Sequence, residues 1–440
     1  MKKYDYILIG SGPAAYRLSN LLAKTNQQVL VVEGKEFGGA CPNYGCEPKI
    51  FLEGAVRNAL QSQQLAGRGI SKPAKLDWGQ LMQTKLKRFN PWPAETKEII
   101  AKHHDLEAGF AQFLDSRTIT VNDHQYQAEH IVIATGQHPH HLAVPGSEFT
   151  HTSTDVLSLT QLPKRVAIIG AGYVAMEMAT LLSAAGAQVT MLVRSDRALR
   201  GFAQADVDTV VAAMQKRGIY FSFNTHVQAI QQNAGAYIVT TDQGEVASDY
   251  VVDASGRVPN VERLHLDKAG IDYDRQGIKV NDHLQTNQKG VYAVGDVVSR
   301  KEPKLTPVAE FEASYLLKQL TQGSNLSIHY PTIATTVFTF PEIALAGVNP
   351  DDVADNGDYQ VKKVPLAGGS LYAGQNDQSA NATLVFKDSQ LVGASAVGDE
   401  AANEINVLAP IIGLHITGDQ FNQAVINAYP AIGDTIGSVL

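Results

Sequence analysis

The chain has 440 residues, 44% hydrophobic and 18% charged, with a formal net charge of −8. That length suits roughly two to four domains, and the acidic balance argues against nucleic acid or an acidic membrane surface as partner. No apolar run reaches the roughly 18 residues of a bilayer span, and Met1-Lys2-Lys3 leads into an apolar segment that stops at Gly10. No secretory leader or membrane segment is therefore expected, and a reducing cytoplasm is the expected location.

The first predicted unit is a strand over 6–9, the turn Gly10-Ser11-Gly12-Pro13-Ala14-Ala15, a helix to Lys24, and a strand over Val29–Glu33. Gly10 and Gly12 lie between strand and helix, where bare backbone can approach a pyrophosphate at the helix N-terminus. Ala15 is small enough for close helix packing. Glu33 ends the second strand, where a carboxylate can accept both hydroxyls of a ribose, so FAD or NAD is expected rather than a 2′-phosphorylated nucleotide. Taken alone, the same glycines would also serve a generic α/β turn.

The segment Gly38-Gly39-Ala40-Cys41-Pro42-Asn43-Tyr44-Gly45-Cys46-Glu47-Pro48-Lys49 contains the only two cysteines of the chain. So few cysteines cannot act as a disulfide framework, and a close pair beside a nucleotide site points to redox chemistry. The pair is about one helical turn apart, at the entrance to a helix expected over 50–64, where the helix N-terminus favours a thiolate. Zinc would need two further ligands from His or carboxylates, and an inert buried pair is the other alternative. A second helical region is expected around 81–101. The strand-and-turn Ile131–Gly136 follows, and then His138-Pro139-His140-His141, which is expected to be a polar surface loop with no resident metal.

A second unit repeats the pattern: strand Val166–Ile169, turn Gly170-Ala171-Gly172-Tyr173-Val174-Ala175, a helix stopped near Gly186, and strand Val189–Val193. No acid stands where Glu33 stands in the first unit. Arg194, Ser195, Arg197 and Arg200 follow instead, which favours the 2′-phosphate of NADPH, unless they form a solvated face. The phrase Val251–Arg257 echoes Ile131–Gly136. From about Tyr330 the texture becomes mixed strands and helices with no glycine fingerprint. The expected architecture is α/β: two Rossmann-like nucleotide-binding domains, the second inserted into the first, and a C-terminal α+β domain. The expected boundaries are 1–145, 146–260, 261–328 and 329–440.

In this order the motifs resemble those of the FAD-dependent pyridine nucleotide–disulfide oxidoreductases, over essentially the whole chain. The resemblance rests on the cysteine phrase, Ala134-Thr135-Gly136, Gly172–Glu177, Gly256-Arg257-Val258-Pro259-Asn260, Val291–Asp296, Leu305–Ala309 and Phe338–Ala344. It implies FAD and NADPH as cofactors and a homodimer joined through the C-terminal domain. Gly10, Gly12, Ala15, Glu33, Lys49, Ala111, Thr135, Gly136, Asp296, Thr306, Val308 and Ala309 would hold FAD. Gly170, Gly172, Tyr173, Val174, Glu177, Arg194, Ser195, Arg200 and Gly256 would hold NADPH, with Tyr173 as an aromatic gate. Cys46 would face the flavin and Cys41 would attack a small-molecule disulfide, with Lys49 pairing to Glu177.

The resemblance has departures. The family's C-terminal His-Pro-Thr-x-Ser-Glu is here Tyr429-Pro430-Ala431-Ile432-Gly433-Asp434. A phenol at neutral pH donates a proton but rarely accepts one. Tyr429 and Asp434 would thus complete the catalytic set in altered form. Glutathione-using members would carry arginine at the positions of Leu18 and Ser19, where only Arg17 is near. The implied activity is a glutathione-reductase-like disulfide reductase. A metal-ion or quinone reductase and a non-catalytic redox-sensing flavoprotein are the alternatives.

Overall fold

The computed structural model describes residues 1–233, 235–323 and 326–440. The chain divides into two compact units. The first comprises 1–49, 84–140 and 256–329, and the second comprises 50–83, 141–255 and 330–440.

The first unit is built on a seven-stranded sheet. Strands Asp105–Ala108, Val29–Glu33, Lys2–Ile9 and His124–Ile133 lie side by side in parallel, and Val291–Ala293 adds to His124–Ile133. Thr118–Val121 and Gln112–Asp115 extend it antiparallel. The apolar run of the first strand is explained by burial on both faces, as parallel sheets require. Ile7 and Ile9 pack with Leu30, Ile131 and Phe113 on one side. Tyr6 and Leu8 pack with Leu18, Leu22 and Leu316 on the other. Helix Pro13–Leu22 follows the first strand, and Thr306–Gln322 packs against it.

The second unit contains a four-stranded parallel sheet of Tyr220–Ser222, Gln188–Leu192, Arg165–Ile169 and Tyr250–Asp253. Helix Tyr173–Ala184 follows the Arg165–Ile169 strand. The same unit carries a five-stranded antiparallel sheet, Ala334–Val337, Glu342–Gly347, Gln390–Gly398, Asn381–Lys387 and Tyr359–Pro365, against helix Ala401–Gly413. Among the described residues, no helix is long and apolar enough to cross a membrane.

Three local expectations need correction. The helix after the cysteines begins at Cys46, not Ile50, and runs to Gln64. The expected helical region at 81–101 is two helices, Trp78–Phe89 and Trp92–Ala101. Pro91 lacks a backbone N–H and disfavours helical geometry at the residue before it, so one helix cannot run through. Gln137–Pro139 is a strand paired with Arg257–Pro259, not a loop, and His138 is half-buried with Nδ1 2.6 Å from Asn260 Oδ1.

The C-terminal sheet and helix enclose several carboxyl groups. Glu342, Asp377, Asp399 and Glu404 are all buried. The Arg57 guanidinium meets Glu342, and Nη2 lies 3.6 Å from Glu400. Burial and the neighbouring acids push Glu404 up to about 8, against the hydrogen bond that Tyr372 Oη donates to it at 2.7 Å. Burial, with the Asp377 carboxylate, pushes Asp399 up to about 7. A carboxyl group raised on folding binds its proton more tightly in the folded state, so stability declines as pH rises from the unfolded value through the folded one. Thermal stability of this protein should therefore fall between about pH 5 and about pH 8 through these groups. Glu404→Gln should flatten that decline and raise the melting temperature at pH 8.5. An unchanged slope in a differential-scanning series would show that Glu404 is ionised in the folded protein.

Candidate active site

The first fingerprint is a close-packed backbone turn. Gly10 has φ +110°, and a Cβ placed there would meet the Ala134 carbonyl oxygen at 2.4 Å. Only glycine relieves both problems. Gly10 N donates to Val32 O at 2.7 Å, and Ala134 N donates to Ile9 O at 2.8 Å. Gly12 caps helix Pro13–Leu22. A Cβ on Gly39 would meet Gly12 Cα at 2.7 Å, so two loops cross here with bare backbone. Ala15 is buried beneath.

Glu33 is held by a residue that sequence reasoning passed over. Ser11 N and Oγ donate to Glu33 Oε2 at 3.0 and 2.7 Å, and Lys35 N donates to Oε1 at 2.9 Å. These bonds fix the carboxylate while leaving acceptor capacity for hydroxyl donors. Its only early signal was a polar residue between two fingerprint glycines. Asn260 joins the Thr135-Gly136 turn to the Arg257–Pro259 strand. Its Nδ2 donates to Thr135 O at 2.6 Å, and Thr135 Oγ1 donates to Asn260 O at 2.8 Å. Ala111 is buried at the start of strand Gln112–Asp115.

Asp296 lies in the short helical turn Gly295–Val297. Burial pushes its carboxyl up, and Arg300, Arg257 and Lys304 oppose this. The turn is clamped on both sides. Glu312 Oε2 accepts from Gly295 N at 2.7 Å, and Arg300 Nη1 donates to Gly295 O at 2.9 Å and pairs with Glu312. Lys304 Nζ donates to Asp296 O at 2.8 Å. Arg300 Nε and Nη2 are buried with no hydrogen-bond partner among the described residues. Bare backbone at Gly10 and Gly12, an acceptor at Glu33, and an acid with orphaned guanidinium donors near Asp296 fit a flavin dinucleotide. Thr306 opens helix Thr306–Gln322, with Val308 and Ala309 buried in its first turn.

The cysteines lie in the same unit. Cys41 is on the short helix Ala40–Tyr44, and Cys46 is the first residue of Cys46–Gln64. Gly45, with φ −132° and ψ −121°, interrupts the helical backbone between them, and a Cβ there would meet Ala40 O at 2.8 Å. Cys46 Sγ lies 3.8 Å from Thr306 Oγ1. The hydrogen bond from Cys41 draws Cys46 down to about 6; partial desolvation opposes it, and Thr306 and the Lys49 charge help. The same bond, burial and the Glu47 carboxylate push Cys41 upward. The reduced pair is thus a Cys46 thiolate accepting from a Cys41 thiol. Lys49 is buried one turn along the helix.

The second fingerprint repeats the geometry of the first. Gly170 has φ +117°, and its Cβ would meet the Ala254 carbonyl oxygen at 2.4 Å. Gly172 caps helix Tyr173–Ala184, which carries Tyr173, Val174 and buried Glu177. The Tyr173 ring is 5.5 Å from that of Phe202, and Glu177 Oε1 accepts from Phe338 N at 3.1 Å. Past the strand, Arg194 and Arg200 are exposed, and Arg200 Nη2 is 3.3 Å from Asp196 Oδ1. Ser195 Oγ donates to Arg197 O at 2.8 Å. Gly256, expected beside the second nucleotide, belongs to the first unit, where its carbonyl accepts from His140 N at 3.0 Å.

Tyr429 is 83% exposed ahead of a cis Pro430, and Asp434 is half-buried on helix Ile432–Gly437. Leu18 and Ser19 are buried, at 0% and 1% exposure. They face the core of the first unit, and Arg17 is the exposed basic residue of that helix.

These features define a two-nucleotide flavoprotein oxidoreductase with a redox-active cysteine pair. The family model for pyridine nucleotide-disulphide oxidoreductases matches residues 4–313, and the model for that family's dimerisation domain matches 333–439. The chain belongs to the pyridine nucleotide-disulphide oxidoreductase family. It is 30% identical to a glutathione reductase of Burkholderia cepacia, covering 99% of this chain and 98% of the relative. It is 29% identical to a dihydrolipoyl dehydrogenase of Mycoplasma pneumoniae, over 99% and 97%. It is 29% identical to a mercuric reductase of Staphylococcus aureus, over 91% and 76%. The fold is therefore α/β, with Rossmann-like FAD and NAD(P) domains and a C-terminal dimerisation domain. The protein is an FAD- and pyridine-nucleotide-dependent oxidoreductase of the disulfide type that self-associates.

In the reduced protein, the pH midpoint of Cys46 alkylation should lie near 6. Cys41→Ala removes the main cause and should move the midpoint up toward an ordinary thiol; Thr306→Val should move it by less. Iodoacetamide rates across pH, read by peptide mass spectrometry, measure this. A midpoint unmoved by Cys41→Ala would mean that the helix N-terminus alone sets the thiolate.

Proposed function

We propose that this protein is an NADPH-dependent reductase of a small disulfide, acting as a homodimer in a reducing cytoplasm. The observation that carries the reading is the polarised cysteine pair, with Cys46 pushed down and Cys41 pushed up. The family boundaries proposed for the chain are 1–145 and 261–328 for FAD, 146–260 for NADPH and 329–440 for the dimer interface. Gly10, Gly12, Glu33, Thr135, Gly136, Asp296 and Thr306–Ala309 would hold FAD. When bound, FAD supplies the two-electron relay between nicotinamide and cysteines.

The chemistry at the cysteines is thiol–disulfide exchange. Cys41 gives its proton to Cys46 and attacks one sulfur of the substrate. A mixed disulfide forms, and the first thiolate leaves and takes a proton from the Tyr429 phenol of the partner subunit. Cys46 passes its proton to the Tyr429 phenolate and, again a thiolate, attacks Cys41 Sγ, restoring the Cys41–Cys46 disulfide and expelling the second thiolate, which takes the proton from Tyr429; the phenolate that remains is reprotonated by solvent. Each turnover consumes one nicotinamide hydride and one solvent proton and yields two thiols. Lys49 and Glu177 are proposed to pair at the nicotinamide side of the site.

NADPH is favoured because no acid ends the second strand of this unit as Glu33 does in the first, and exposed Arg194 and Arg200 follow it. The Arg200–Asp196 pair is a surface pair of little strength and can give way to a phosphate. The double variant Arg194→Ala/Arg200→Ala should lower kcat/KM for NADPH by about 10- to 100-fold and leave NADH unaffected. Equal losses with both nucleotides would remove the case for a phosphate site.

Cys41→Ser should abolish disulfide turnover while keeping bound flavin. Tyr429→Phe should depress disulfide turnover and spare flavin reduction by NADPH, followed anaerobically by flavin absorbance. A second reading, reduction of a metal ion or quinone, is favoured by Tyr429, because such acceptors release no thiolate to protonate. Anaerobic NADPH oxidation with glutathione disulfide, cystine, lipoamide, copper(II) and a quinone separates the two. Turnover confined to copper(II) or the quinone would overturn the disulfide assignment.

A further inference from the structure

The segment that holds the proposed phosphate ligands is tied to the second fingerprint at two points, all within the second unit. Between the Gln188–Leu192 strand and helix Gln204–Lys216, Arg194, Asp196 and Arg200 are exposed, whereas Ala198, Leu199 and Phe202 are buried. Phe202 N donates to Leu199 O at 3.0 Å, which closes a turn with Arg200 and Gly201 at its tip. Both ends of that turn are fixed. Leu199 N donates at 3.0 Å to the carbonyl of Ala171, the residue between the two fingerprint glycines. Leu199 holds φ at +41°, a conformation that costs energy in a residue with a bulky side chain. At the other end, Arg197 Nη2 donates to Phe202 O at 2.7 Å. The Phe202 ring lies 5.5 Å from the ring of Tyr173, which opens the fingerprint helix and is 37% exposed. One closed turn thus joins Arg200 at its tip to Tyr173 behind it.

We propose that this turn couples recognition of a 2′-phosphorylated adenosine nucleotide to the Tyr173 ring, with Phe202 and Arg197 as positioning residues, so that the phosphate raises the rate of hydride transfer and does not act on binding alone. The inference rests on the proposed use of NADPH and deepens it. A ligand shifts a conformational equilibrium only through contacts that differ between the two states. Here the differing contact is the Arg200–Asp196 pair, 3.3 Å apart at the tip of the turn. A phosphate that takes Arg200 away from Asp196 pulls on that tip. Leu199 cannot follow without stretching its bond to Ala171, so the displacement falls on Phe202 and on the ring packed against it. Tyr173 stands at a helix N-terminus, the place where a pyrophosphate is received, and its ring therefore lies on the path of the nicotinamide half. NADH lacks the 2′-phosphate and leaves the Arg200–Asp196 pair intact. An exposed ion pair contributes little, so the coupling is small, about two- to fivefold in rate.

Two probes divide the cofactor between them. Reduced nicotinamide mononucleotide holds the hydride and no adenosine, and 2′-AMP holds the 2′-phosphate and no nicotinamide. Oxidation of the mononucleotide passes its hydride to the flavin-loaded enzyme, which takes a proton from solvent. In anaerobic holoenzyme, 2′-AMP should speed that oxidation about two- to fivefold, and adenosine should not. Phe202→Leu keeps an apolar side chain and removes the ring, so it should abolish the acceleration while 2′-AMP still binds by calorimetry. Arg197→Met should weaken the acceleration and Arg197→Lys should restore part of it, with the calorimetric affinity separating this from loss of a phosphate contact. The second measurement needs neither turnover nor a variant. Hydrogen exchange in the wild-type holoenzyme, read by mass spectrometry, should change on adding 2′-AMP in the peptide containing Tyr173 as well as in the peptide containing Arg200. If 2′-AMP binds but alters neither the oxidation rate nor the Tyr173 peptide, the coupling is overturned and the NADPH reading stands. Full acceleration in Phe202→Leu would overturn the route through Phe202. No binding of 2′-AMP would overturn the NADPH reading, and the coupling with it.

Discussion

The structure depends on one steric constraint, used twice. At the end of a buried parallel strand the chain must turn where a neighbouring carbonyl leaves no room for a side chain. Gly10 meets that condition against Ala134, and Gly170 meets it against Ala254, each with a hypothetical Cβ 2.4 Å from the carbonyl oxygen. Both glycines have φ well above zero. The absence of a Cβ therefore serves backbone conformation and packing together. The helix that follows each turn presents its N-terminal N–H groups at the same place, which is where a phosphate is best received. The two Ala-[Thr/Ser]-Gly phrases supply the carbonyl in each case, so each glycine fingerprint and its distant phrase form one device.

In the first unit, the turn and the cysteine segment are organised by polar groups contributed by neighbouring helices. Arg300 and Glu312 are almost completely buried. Such a pair costs desolvation that its own attraction only partly offsets. It also fixes both sides of Gly295, and so the position of Asp296. A geometric role of this kind explains a buried ion pair better than net stability does. The cysteine pair follows a similar logic. Gly45 separates two short helical starts, Thr306 approaches from another helix, and the two sulfurs share one proton unequally.

The C-terminal region shows where the chain departs from its family without losing its fold. The antiparallel sheet and the Ala401–Gly413 helix bury their apolar faces, with Tyr372, Ile405 and Leu408 fully enclosed. Tyr429 lies outside that core and is 83% exposed. An exposed side chain can change from imidazole to phenol at little cost in packing. In the proposed mechanism the consequence is chemical, because a phenol donates a proton but, unlike imidazole, neither acts as a base at neutral pH nor carries positive charge.

The sequence by itself determined the two glycine turns, the parallel strands that lead into them, the cysteine pair and the family. Each is a local signal: a glycine demanded by positive φ, an apolar run demanded by burial on both faces, two cysteines five positions apart. Glu33 was legible as a ribose acceptor for the same reason, because it ends a strand that the period of the chain marks. Tertiary structure decided the rest. The Ser11 bonds to Glu33, the Asn260 bridge, the Arg300–Glu312 clamp and the approach of Thr306 to Cys46 join residues whose partners no local pattern names. The helix start at Cys46 and the break at Pro91 depended on backbone geometry that composition blurs. Leu18 and Ser19, where the resemblance implies arginine in glutathione-using members, are turned inward by the fold. Facing is set by how a helix packs on its sheet, and that is a property of the assembled chain.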